Sequence, residues 1–295
     1  MNILEKCDAY KHKTFRDAAA LYLAEFTGKC KARQKYALDA LLPYIGDLPL
    51  IEIDDDSFWQ YKQERCLEFM AGTVNKELTA AKTVLNKAAR DWRWMPAVPI
   101  IRKVTGPARQ SYPLTHVEQR KLIHQIHGYL RQICLFALNT GVRREELFAL
   151  KWDDERKKGG VHYFALRESV SHRIRPVVLN SVARKIVQQM DGNGADVVFS
   201  RRSVSKPINK AWIKAGLPDH RFIRKGINNF RHTYAHRLRL AGASETEVET
   251  LLGLRYGKRE RQYSVVGLKR LEDLAELTIT VKEPDLPVYL QVLGT

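Results

Sequence analysis

Residues 228–253 read NNFRHTYAHRLRLAGASETEVETLLG. Phe230, Tyr234 and Ala235 recur at helical spacing and form an apolar stripe. The stretch reads as two helices, 228–241 and 244–253, parted by a short turn. Arg231 and His232 flank the stripe, close to surface that the first helix must bury. A partly buried arginine needs an anionic partner. No acid lies within a helical turn of Arg231, and the nearest downstream are Glu245 and Glu247. Two partners stay open at this point, a bound phosphate or an acid from elsewhere in the fold.

Outward from this stretch the pattern stays helical. Helices are expected at 116–127, 129–139, 181–190 and 206–215, with another after Gly141 that carries Glu145, Leu147 and Leu150. Residues 161–166 and 174–179 read as two short strands joined by a polar turn. Upstream, Thr14 and Asp17 make a capping-box-like helix start, and further helices are expected at 32–45, 56–70 and 73–92. Between the two regions MPAVPIIRKVTGPARQSYP, residues 95–113, has four prolines and reads as an extended linker. The expected class is mainly α. A helical unit occupies residues 1–95, a linker 96–113, an α-rich domain with a small β-hairpin or sheet 114–275, and a tail 276–295. Residues 277–293 mix β-branched residues with Pro284 and Pro287 and are open to three readings: a strand, an exchanging arm or disorder.

Charge narrows the class of partner. The 295 residues carry 50 Lys and Arg against 33 Asp and Glu, a net of +17. Residues 201–263 alone hold 15 basic and 5 acidic side chains. A field of that size and placement favours a polyanion, and its concentration in one stretch favours nucleic acid over a membrane. No run of eighteen apolar residues exists, and the charged start MNILEKCDAYKHK lacks the apolar core of an export signal. Cys7, Cys30, Cys66 and Cys134 include no CxxC pair, so neither a zinc knuckle nor a redox motif is indicated. A reduced cytoplasmic compartment fits best.

Two more clusters carry chemistry. Thr140-Gly-Val-Arg143-Arg-Glu-Glu146 sets Arg143 at an expected helix start, where an arginine can fork onto two oxygens of an anion. Glu146 lies one turn on and can orient it. Tyr263 stands in RERQYSVVG among Arg259 and Arg261, and neighbouring cations favour a phenolate.

Taken together, in this order and spacing, the clusters resemble the tyrosine recombinase (phage integrase) family over about residues 113–270. TGVRREE with LKWDD is similar to the family's first arginine box, with Arg143 and Glu146 as arginine and acid. FRHTYAHRL, AGAS and VETLLG are similar to its second box, with Arg231 as the second arginine. The family's tyrosine, nine residues beyond the position after LLG, falls on Tyr263. Three accessory positions depart from the pattern. Asn228 stands where the family usually has histidine, and Leu254 where it has histidine or tryptophan. The hairpin lysine counts back to Val170, with Arg167, His172 and Arg173 as neighbours.

The resemblance implies a site-specific DNA recombinase with a core-binding first domain. Tyr263 would attack a scissile phosphate and form a 3′-phosphotyrosine, and Arg143 and Arg231 would neutralise the developing charge. It implies no metal and no cofactor, because the covalent link keeps the bond energy. It implies double-stranded DNA as partner, a homo-tetramer on DNA with a monomer open in its absence, and a nucleoid-associated setting in a bacterial cell. The departures at Val170, Asn228 and Leu254 keep a DNA-binding member that no longer cuts as one alternative. A type IB topoisomerase-like enzyme is the other.

Overall fold

The computed structural model describes residues 12–107, 109–167, 174–190, 196–200, 203–220, 222–254 and 267–283. It divides into two compact units, 1–108 and 109–295.

The first unit is helical: α1 (Phe15–Glu25), α2 (Lys31–Asp39), α3 (Leu42–Ile45), α4 (Trp59–Glu68) and α5 (Ala71–Arg90). Thr14 and Asp17 close a capping box at the start of α1. The single helix expected over 32–45 is interrupted. Pro43 has no N–H to give to Asp39, and its ring collides with that carbonyl in a continuous helix, so α2 stops at Asp39. The helix expected from 56 begins as a short 3₁₀ turn, Asp56–Phe58, before α4. Phe15, Leu38, Phe58, Val84 and Leu85 are fully buried at the centre of this unit. The proline-rich stretch is not free of it. Met95 and Ile101 are buried in the same core, and the Asn75 side chain bonds both the N–H and the carbonyl of Val104, at 2.9 Å each.

The second unit holds α6 (His116–His124), α7 (Gly128–Thr140), α8 (Arg144–Leu147), β1 (Glu155–Lys158), β2 (Val161–Arg167), β3 (Ile174–Val178), α9 (Ser181–Met190), α10 (Ser205–Lys214), α11 (Ile227–Leu240), α12 (Glu245–Leu252) and α13 (Leu268–Leu277). The strands form one antiparallel sheet in the order β1-β2-β3. β1 was not expected. Its sequence, ERKK, has no apolar alternation, and it forms because Gly159 and Gly160, at φ 57° and 83°, supply the two left-handed residues of a tight hairpin.

The helix after Gly141 is shorter than expected and leaves Leu150 outside. Leu150 and Lys151 instead run extended beside Val197, with Val198 donating to the Leu150 carbonyl at 2.9 Å. α13 is a helix that no sequence pattern had marked. Residues beyond it pack back onto the unit as far as Glu283, whose carboxylate takes the His116 backbone N–H at 2.6 Å and Arg237 Nε at 2.9 Å. The described part of the tail is therefore neither a strand nor loose. Among the described residues no helix is long and apolar enough to cross a membrane.

Candidate functional site

The site grows from the end of α7. Gly141 caps that helix at φ 61°, ψ 18°, a left-handed conformation that glycine adopts without penalty. Space makes the same demand. A Cβ at this position would lie 2.5 Å from Tyr234 Cδ1 and 2.7 Å from Leu252 Cδ2. The turn lets α7, α11 and α12 approach closely, and two residues later it delivers Arg143.

Arg143 is the N-cap residue of α8. Its backbone N–H donates to Glu146 Oε2 at 2.8 Å, and its Nη1 to Glu146 Oε1 at 2.6 Å. Its Nη2 donates to the Gly253 carbonyl at 2.6 Å. Arg231, in the first turns of α11, donates from Nη1 to the Gly141 carbonyl at 2.7 Å and from Nη2 to the Leu252 carbonyl at 2.6 Å. Two of the acceptors that meet Arg231 are thus main-chain carbonyls, a class of partner the sequence had not suggested. The last carbonyls of a helix have no partner within it and carry its negative dipole end, so cationic donors there are favourable. Two arginines 88 positions apart in the chain converge on the end of α12 in this way.

A third arginine reaches the same place and was missed from the sequence. Arg175 in β3 donates from Nη1 to the Leu251 carbonyl at 2.9 Å and from Nη2 to Glu146 Oε2 at 2.6 Å. The one available signal was alternation. In IRPVVL, Arg175 shares the inward face with Val177 and Leu179.

Glu146 is the shared counter-ion. Burial is the largest influence on its carboxyl and pushes the pKa up. The Arg175 charge, then the backbone N–H and side chain of Arg143, outweigh burial and hold it below the ordinary carboxylate value. Glu146 is therefore ionised at neutral pH. His232, half-buried behind Arg231, is pushed down by burial first and by Arg224 and Arg231 second, which keeps it neutral. The Tyr234 hydroxyl is fully buried and has no hydrogen-bond partner among the described residues.

Asn228 is exposed in the first turn of α11 and lines a cleft of about 390 Å³ with Arg109, Arg144, His220 and Lys225. Leu254 is 38% exposed, directly after the Gly253 carbonyl that holds Arg143. Arg167 is exposed at the end of β2. Val170, His172, Arg173 and Tyr263 lie outside the described residues. Each guanidinium has five N–H donors. Arg143 spends two of them on the Glu146 and Gly253 contacts above, and two of those on Arg231 meet the Gly141 and Leu252 carbonyls.

A family model described as the phage integrase family matches residues 113–264, just over half of the chain. The integrase of Salmonella phage P22 is 27% identical over 225 residues, covering 69% of this chain and 56% of that protein. The chain therefore spans little more than half the length of this curated relative. A lambda integrase dimer bound to a COC′ core site superposes with a TM-score of 0.70 at 17% identity, over 86% of this chain and 99% of that one. A lambda integrase tetramer bound to a Holliday junction gives 0.65 at 16% identity, over 91% and 81%. The Tn1549 transposon integrase in complex with circular intermediate DNA gives 0.62 at 16%, over 87% and 97%. At these identities the structures speak for the fold.

Proposed function

The chain belongs to the phage integrase family, and from that premise we propose that it is a site-specific DNA recombinase. Its second unit cleaves and rejoins double-stranded DNA, and its helical first unit grips the core of the recombination site. The observation that carries the reading is the convergence of Arg143 and Arg231 on the carbonyls of Leu252 and Gly253, ten residues before Tyr263.

The chemistry follows from that arrangement. The Tyr263 oxygen attacks the scissile phosphorus as its proton leaves. A new P–O bond forms to tyrosine, and the P–O bond to the 5′ oxygen breaks. That oxygen picks up a proton and departs as a 5′-hydroxyl. Charge builds on the two non-bridging oxygens during attack, and the guanidinium charges of Arg143 and Arg231 meet it. Removing one such preorganised donor costs about 2.7–4 kcal/mol of transition-state stabilisation. A 5′-hydroxyl from a partner strand then reverses the step and completes exchange. The lambda and Tn1549 integrases are seen on DNA, and lambda integrase as a dimer and a tetramer. By extension this protein works as a tetramer on two duplexes.

The test is a nicked suicide duplex built on the sequence that the protein selects from a random DNA pool. A covalent protein–DNA adduct that Tyr263→Phe abolishes is the expected result. A second reading is favoured by Asn228 and Leu254, which replace ring donors at two accessory positions: a family member that binds its site without cutting. Tight binding to the selected duplex with no adduct would establish that reading and remove the first.

A further inference from the structure

We propose that Arg175 is a positioning residue for strand cleavage, tying Glu146, and through it Arg143, to the end of α12 from which the segment bearing Tyr263 departs. The inference rests on the recombinase reading above.

The Arg175 side chain is 7% exposed and emerges from the inward face of β3. Burying an arginine is costly unless its charge and its donors are met. Here its charge and its two terminal nitrogens are met by two different elements. One terminal nitrogen pairs with Glu146 at the start of the second unit's first arginine turn, and the other bonds the Leu251 carbonyl at the end of α12. The planar guanidinium fork fixes the distance between those acceptors, which a lysine with a single nitrogen cannot do.

The acceptors form an ordered set. The successive carbonyls of Leu251, Leu252 and Gly253 receive Arg175, Arg231 and Arg143 respectively. Glu146 closes the loop, with Oε1 on Arg143 and Oε2 on Arg175 and the Arg143 backbone. Arg143 is 42% exposed at its side chain and could swing into solvent with Glu146 alone as its partner. With Arg175 in place, Glu146 is held from the interior, and both phosphate-facing arginines share one reference, the end of α12. Arg175 itself is too buried to touch DNA. Its effect is on geometry, where a displacement of about 1 Å can cost on the order of a hundredfold in rate.

The experiment compares wild type, Arg175→Lys and Arg175→Met in single-turnover adduct formation with protein saturating over the suicide duplex. Two duplexes are used, one with an ordinary scissile phosphate and one with a neutral methylphosphonate there. The expected result is a slowing of about tenfold to a hundredfold in both variants on the phosphate, with DNA affinity within about threefold of wild type. The deficit should narrow on the methylphosphonate, which carries less charge for the arginines to neutralise. A variant that cleaves at the wild-type rate, or a deficit equal on both duplexes, overturns the proposal.

A measurement on the DNA-free protein stands apart from activity. The Arg143 guanidinium ¹⁵N resonance, identified by its loss in Arg143→Lys, should move in Arg175→Lys, and an unmoved resonance overturns the proposal as well. If wild type forms no adduct, the recombinase reading fails, and the resonance decides the positioning role by itself.

Discussion

Gly141→Ala should weaken the second unit and slow cleavage together. Two costs add at this position. The backbone sits at φ 61°, where an L side chain costs about 1–2 kcal/mol. The new Cβ would also stand 2.5 Å from Tyr234 Cδ1 and 2.7 Å from Leu252 Cδ2. Overpacking of that kind typically costs about 1–3 kcal/mol, so the whole change should cost about 2–5 kcal/mol. Gly216→Ala separates the two costs, because Gly216 has φ 66° and nothing within 4 Å of a built Cβ. It should lose only the backbone part, about 1–2 kcal/mol. Hydrogen exchange of the slowest amides of α7 and its neighbours reads the unfolding free energy of this unit in the intact chain. The Gly141 carbonyl also holds Arg231, so relief of the clash by a shift of α11 or α12 should slow adduct formation in Gly141→Ala and not in Gly216→Ala. If the two variants lose stability within about 0.5 kcal/mol of each other, comparable to an ordinary surface change, the close approach at Gly141 is not what the turn protects.

Tyr234→Phe removes a buried hydroxyl without a partner among the described residues, and should leave stability unchanged or raise it by about 1 kcal/mol; a loss of that size in chemical denaturation would reveal a bond the structure does not contain. Glu146→Gln should flatten one part of the acid profile. The folded pKa of Glu146 is depressed, so its contribution is present above the unfolded value of about 4.3 and is lost as pH falls through the folded value. The stability gap between wild type and Glu146→Gln should therefore shrink below about pH 4.3, and a gap constant with pH would refute the assignment. Arg143→Lys and Arg231→Lys should each slow adduct formation far more than they weaken DNA binding, since lysine cannot keep the carbonyl contact and face a phosphate with the same fork; equal losses in both assays would assign the two residues to general phosphate grip. Arg144→Ala, at the cleft beside Asn228, should weaken binding to all sequences alike and lower the salt slope by about 1, and an unchanged slope would remove that cleft from the DNA surface.

How far the site was legible depended on the kind of signal each residue leaves. Gly141 was readable as the break between two helices because glycine permits a tight turn at a helix start. Arg143 and Glu146 were readable because three residues along a chain turning into a helix bring side chains together. Pro43 was misread within a helical pattern, although its missing N–H alone dictates the break. β1 escaped because an exposed edge strand of charged residues has no apolar alternation to betray it. Arg175 left only a weak trace, a charge at an inward strand position, because its partners lie 29 and 76 residues away.

By itself the sequence determined the helical class and the concentration of positive charge towards the C-terminal unit, and it named Arg143 and Arg231 as the candidates for meeting a phosphate. Those follow from local rules: helical periodicity, backbone freedom at glycine, and side-chain charge. Only the tertiary structure decided where the arginines find their partners. The carbonyls of Leu251, Leu252 and Gly253 are main-chain groups common to every residue, so no side-chain pattern marks them as acceptors. They become a binding edge only when α12 ends beside β3, α8 and α11, and that meeting is set by packing between segments distant in the chain.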